Sequence, residues 1–185
     1  MGEVGKKINL LGYIAAALGA AACGFAALMI FFEDDFFYGI NNLGNLIIVG
    51  AMLVVAIGAA LRFFGDRDFT DLIVTGTAVV TLIINIFALS NEEGYLWYRD
   101  FFTMVIMNGL SVCVMLGVAV KAFKSGNQLF AIAAVLVFLY FAIIAPVLFY
   151  VDLSDELWAV LLIFNAGVKF AAYGLSVISI NQENN

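Results

Sequence analysis

Six long apolar runs, separated by short polar stretches, leave this 185-residue chain little choice of fold. A helix crossing the hydrocarbon core of a bilayer needs about 20 consecutive apolar residues. The runs at about 8–32, 39–63, 71–90, 101–123, 128–150 and 157–180 each meet that requirement. Between them stand Glu33-Asp34-Asp35, Gly65-Asp66-Arg67-Asp68, Asn91-Glu92-Glu93, Lys124-Ser125-Gly126-Asn127 and the stretch from Asp152 to Glu156. The runs are continuous rather than alternating, which argues against a membrane β-barrel. The expected architecture is therefore an all-α integral membrane protein, one six-helix transmembrane bundle over 1–185. The first run is too long for a signal-peptide core and has no clear small-residue cleavage site, so it reads as a retained anchor.

Composition agrees. The chain is 65% hydrophobic and 12% charged, against about half and about a quarter in soluble domains. There is no His, which removes the commonest metal ligand and the usual general base. There is no intramembrane Asp pair, no metalloprotease helix signature and no phosphate-cradling Gly-rich loop. A Ser111–Lys169 dyad would lack an evident oxyanion hole. The two thiols, Cys23 and Cys113, fall short of the four ligands an iron–sulfur cluster takes. No enzymatic activity, cofactor, metal site or nucleic-acid partner is expected.

Orientation follows from Lys and Arg in the connections. With the N-terminus inside, the inner side holds Lys6, Lys7, Arg62, Arg67, Lys121 and Lys124, and the outer side only Arg99. Both termini are thus expected in the cytoplasm. The absence of a glycosylation sequon points to a bacterial or archaeal plasma membrane. Aromatic residues flank the outer loops, among them Phe36, Phe37 and Tyr38, then Tyr95, Trp97 and Tyr98, then Tyr150 and Trp158.

Each outer loop carries three carboxylates: Glu33, Asp34 and Asp35; Glu92, Glu93 and Asp100; Asp152, Asp155 and Glu156. The loops recur about every 59 residues. Val49-Gly50 with Gly58 then matches Asn108-Gly109 with Gly117 and Asn165-Ala166 with Gly174 on the returning helices. Arg62 and Lys121 close the first two. The pattern suggests three helical hairpins of common design, a parallel rather than inverted repeat. Equal-length spans with short loops give such a period without any shared ancestry.

Lipid tails compete with Leu for helix surfaces, so contacts between membrane helices rely on small residues. The first run offers a ridge of Gly12, Ala16, Ala20 and Gly24 beside one of Ala15, Gly19, Cys23 and Ala27. Pro146 should distort the fifth helix near 142–146, since it donates no backbone hydrogen bond.

The sharpest polar signal is Lys169, about twelve residues from either end of the last run, roughly 18 Å at 1.5 Å per residue. An ionisable residue at that depth is a functional candidate by default. Asn165 and Tyr173 share its helix face. Neutral residues at similar depth are Thr77, Thr81, Asn85, Asn108, Ser111 and Tyr140, and no carboxylate lies deep in any run. Asp71, at the shallow inner end of the third run, is not an obvious partner. A cavity built from Lys169, Asn165, Tyr173, Asn108, Ser111, Thr77 and Thr81 would bind a solute near the midplane. In size, span number, inside termini and Ala-rich first helix the chain resembles the substrate-binding subunits of energy-coupling-factor vitamin transporters. Two functions remain in view. One is a transport-related subunit, solute-binding or channel-like. The other is a structural accessory subunit, docked to further membrane chains or to its own copies through the small-residue face of the first helix.

Overall fold

A computed structural model describes residues 2–29, 34–90, 114–149, 151 and 154–182. Those residues are almost all helical, with no strand among them. In chain order the helices are α1 (Gly2–Met29), α2 (Asp34–Asp66), α3 (Phe69–Ser90), α4 (114–124), α5 (Gln128–Leu139), a π-helical turn (Tyr140–Ile144), α6 (Ala145–Phe149) and α7 (Asp155–Gln182). Three stretches are long and apolar enough to cross a membrane: Gly2–Met29, Leu43–Asp66 and Glu156–Gln182.

The fold is organised around α1, which packs against both α2 and α7, while α2 also meets α3. The α1–α2 contact is an antiparallel seam of small residues. On α1 it runs through Gly5, Asn9, Gly12, Ala16, Gly19 and Cys23, and on α2 through Gly44, Ile48, Ala51, Val55, Gly58 and Arg62. These steps alternate between three and four residues, the 3.5-residue period that keeps one stripe of each helix against its partner. A Cβ on Gly5 would lie 2.7 Å from the Gly58 carbonyl oxygen. One on Gly19 would lie 2.8 Å from the Gly44 carbonyl oxygen, and one on Gly58 2.6 Å from the Asn9 nitrogen. The backbones touch, as small-residue seams in lipid require.

The closest approaches therefore cross the two ridges of spacing four rather than following either. Gly12 and Ala16 lie on the seam, and Ala20 is buried beside it. Gly24 turns away towards α7, where its Cβ would sit 3.3 Å from that of Ala166. The opposite face of α1 carries Val4, Leu11, Leu18 and Phe25 at a spacing of seven, each more than half exposed. Small residues inside and large apolar ones outside invert the pattern of a water-soluble helix. The arrangement suits an apolar solvent.

The fifth apolar run departs from α-helical geometry just ahead of Pro146. Pro146 has no N–H for the Ala142 carbonyl. The chain widens into the π turn, and the Ala145 N–H reaches back to the Tyr140 carbonyl. Single π turns inside helices often mark functional positions, and this one presents Tyr140 to α7.

The seam makes a contrasting pair of glycines. Gly58→Ala should lower stability by about 1–3 kcal/mol, because the new methyl meets Asn9 backbone. Gly50→Ala, with open space around it, should raise stability by up to about 1 kcal/mol through helix propensity. Denaturation midpoints in mild detergent would measure both, and equal shifts would contradict the seam.

Candidate functional site

The seam ends in charge. At this end stand Arg62, the last seam position on α2, and Asn9 on α1, only 4% and 2% exposed. Gly5 and Gly58 make room for them: a Cβ on Gly5 would lie 2.9 Å from Arg62 Cγ, and one on Gly58 2.7 Å from Asn9 Oδ1. Past Arg62 the chain turns sharply into α3. Arg67 takes the left-handed conformation (φ 57°), and its N–H donates to the Phe63 carbonyl at 2.9 Å, closing α2. Asp68 then caps α3, accepting from the Thr70 N–H at 3.0 Å and from the Thr70 hydroxyl.

This turn delivers Asp71 into the bundle in the first turn of α3, where the helix dipole favours a carboxylate. Asp71 is 4% exposed. Its Oδ2 lies 3.3 Å from Arg62 Nε and its Oδ1 3.7 Å from Lys121 Nζ. Lys121, near the end of α4, also lies 3.5 Å from Asp68 Oδ2. Behind it Gly126 (φ 79°) closes α4, with the Gly126 N–H on the Phe123 carbonyl and the Asn127 N–H on the Ala122 carbonyl. Removing one partner of such a buried pair costs about 3–5 kcal/mol.

A cavity of about 30 Å³ adjoins the cluster, lined by Asn9, Tyr13, Thr70, Asp71, Ser176 and Ser179 among others. Asn9 Oδ1 is buried against it with no hydrogen-bond partner among the described residues. Outside lies a vestibule of about 370 Å³, walled by Lys6, Arg62, Asp66, Asp68, Asp71, Lys121, Lys124 and Ser125. Arg62, Asp71 and Lys121 line both, so they separate the vestibule from the interior.

From the cavity a file of polar side chains climbs α7. Ser179, Ser176, Tyr173, Lys169 and Asn165 follow at steps of three or four, on one face. Tyr173 and Ser176 are fully buried, and the Ser176 hydroxyl donates to the Ala172 carbonyl at 2.9 Å. Lys169 is half-buried and lies near enough to Cys23 of α1 to interact electrostatically. The Cys23 thiol in turn donates to Asn45 Oδ1 of α2 at 3.6 Å. At the far end the Tyr140 hydroxyl donates to Asn165 Oδ1 at 3.4 Å, beside a void of about 10 Å³. Asn165 to Ser179 spans roughly 21 Å at 1.5 Å per residue.

Of the residues singled out from sequence, Lys169, Asn165 and Tyr173 thus share the inward face of α7. Asn108, Ser111 and Cys113 lie outside the described residues, as do the side chains of Thr77 and Thr81. Among the described residues no group of three or more His, Cys, Asp or Glu side chains is placed to hold a metal ion. Sequence reasoning missed Asp71 as an interior residue. Its signal was present: an acid at the start of a span, facing two cations that close neighbouring spans. Compared with known protein families, curated proteins and solved structures, the chain matches none.

Burial works to raise the Asp68 carboxyl. The Thr70 side-chain and backbone hydrogen bonds and the Lys121 ammonium outweigh it and hold Asp68 below the ordinary aspartate range. A carboxylate depressed in the folded state stabilises it above the unfolded value, near pH 4, and that stabilisation is lost as pH falls through the folded value. The denaturation midpoint of the wild type should therefore fall more steeply from about pH 5 downwards than that of Asp68→Asn. Parallel curves would show that Asp68 contributes nothing to the turn.

Proposed function

We propose that the chain is a membrane protein of six crossings with both termini on the inner side, and that it serves transport by offering a small solute a polar route through the bundle. The observation carrying this reading is the file from Asn165 through Lys169, Tyr173, Ser176 and Ser179 to the Arg62–Asp71–Lys121 cluster. Interior polar groups are costly in lipid and are kept where they serve a path or a site. A helix that needed only to anchor would turn an apolar face inward at each of these steps.

The excess of Lys and Arg on one side sets the orientation, and the cluster with its vestibule then opens to the cytoplasm. Solute enters between Lys6 and Lys124, meets Arg62, Asp71 and Lys121, and passes along α7 towards Lys169 near the midplane. The binding region so drawn extends from the Lys169 level to the inner mouth. An accessory role through the small-residue face of α1 draws less support. Gly5, Gly12 and Gly19 are occupied by α2, and Gly24 faces α7.

Transport can be tested without knowing the substrate. Proteoliposomes challenged with a panel of neutral, cationic and anionic solutes should swell faster than empty vesicles for at least one of them. Lys169→Met should slow that solute by roughly an order of magnitude, equivalent to about 1.4 kcal/mol at the barrier. A panel that moves no faster than through lipid alone would end the transport reading. For topology, single cysteines replacing Asp66 and Ser154 in a protein otherwise free of cysteine should react with an impermeant maleimide from opposite sides. Labelling from the same side would refute an odd number of crossings between them.

A further inference from the structure

The interior charges do not balance, and this bears on what the route carries. Within the six apolar runs the cations are Arg62, Lys121 and Lys169, and the one acid is Asp71. The rest of the chain leans the other way, with a net charge of −6 overall. Arg62 and Lys121 sit about 59 residues apart, at matching points of two successive hairpins. They approach the two oxygens of the same carboxylate, Arg62 at Oδ2 and Lys121 at Oδ1.

We propose that Arg62 and Lys121 form a binding site for the oxyanion of a small solute, a phosphate or carboxylate group, and that Asp71 is its built-in occupant, yielding the two cations when the solute arrives. This rests on the transport reading and names its substrate class. A planar guanidinium and an ammonium facing one carboxylate make a geometry that any oxyanion of similar size can share. The position fits access, because both cations form part of the wall of the vestibule, whose volume of about 370 Å³ falls in the range of small-molecule sites. It also fits the lining. Ser179 brings a hydroxyl group to the inner cavity, and a buried oxyanion needs such donors. Asn9 Oδ1, buried without a partner among the described residues, needs a donor in return. An anion with its own O–H, as hydrogenphosphate has, supplies one. The vestibule wall carries four cations, Lys6, Arg62, Lys121 and Lys124, against three acids, Asp66, Asp68 and Asp71, and Lys169 lies further in, so the balance along the route favours an anion.

The proposal makes an unusual forecast for Asp71. Were the cluster a cation site, removing its acid would weaken binding. In an oxyanion site Asp71 is a competitor, and apparent affinity falls with the fraction of protein whose site is open. The test uses the full-length protein in mild detergent, titrated with sodium phosphate at constant sodium and ionic strength, chloride making the balance, with the thermal midpoint as readout. Phosphate should raise the wild-type midpoint saturably. Asp71→Asn should start lower, gain more, and half-saturate at about tenfold lower phosphate. Lys121→Gln, at a partly exposed position, should lose the saturable response while still folding. Weaker or unchanged phosphate response in Asp71→Asn, or a wild-type response in Lys121→Gln, would overturn the proposal. Should Asp71→Asn not fold, the Lys121→Gln comparison decides alone. Phosphatidylglycerol in mixed micelles should not shift the phosphate curve. Competition from it would assign the cations to a lipid headgroup and overturn a soluble solute. Phosphate binding without solute flux would leave the site standing and end the transport reading, whereas flux of another solute without phosphate binding would do the reverse.

Discussion

Backbone-to-backbone contact between α1 and α2 is the constraint on which the rest depends. In lipid no solvent force drives apolar helices together, so the contact must come from close packing. Gly5, Gly12 and Gly19 on α1, with Gly44 and Gly58 on α2, let the helices meet with no Cβ between them. The large side chains that a soluble core would bury are on the outside instead, as Leu11, Leu18 and Phe25 show. The same spacing that makes the seam also sets its ends. At one end Gly44 accommodates the Cys23 thiol, and at the other Gly5 and Gly58 accommodate Arg62 and Asn9.

The charged cluster is a product of that geometry. Arg62 is buried because the seam runs into it, and a buried guanidinium demands a counter-charge. The tight turn through Arg67 and Asp68 brings Asp71 round to meet it within a few residues. Lys121 joins from α4 and ties both aspartates to that helix. Local turn chemistry, a capping aspartate and a left-handed residue thereby assemble an ionic site from three helices. The polar file on α7 joins this site to the half-buried Lys169. Together they describe an interior more polar than a membrane anchor requires, which is the physical basis for reading a route through it.

Much of this was legible in the residues. Among the described residues the continuous apolar runs coincide with helices, because lipid leaves the backbone no alternative to internal hydrogen bonding. Pro146 announced a local departure from α-helix, which took the form of a π turn at Tyr140–Ile144. The i, i+4 spacing of Asn165, Lys169 and Tyr173 put them on one face. The packing register was less legible. The two ridges of small residues at spacing four share Gly12 and Ala16, and Gly19 and Cys23, with the observed seam at 3.5, and α1 is so rich in Ala and Gly that sequence alone did not separate them.

By itself, then, the sequence determined the helical class, the segments long and apolar enough to cross a membrane and the place of Lys169 within the last of them, since each follows from length and hydropathy along a single segment. Only the tertiary structure decided which charges meet. Arg62, Asp71 and Lys121 each sit near the end of a run, where a lone charge passes for an ordinary boundary residue. Their convergence depends on the turn at Arg67, the register of the α1–α2 seam and the approach of α4, none of which is a property of one segment. Burial is a relation between helices, and it turned three boundary residues into an interior site.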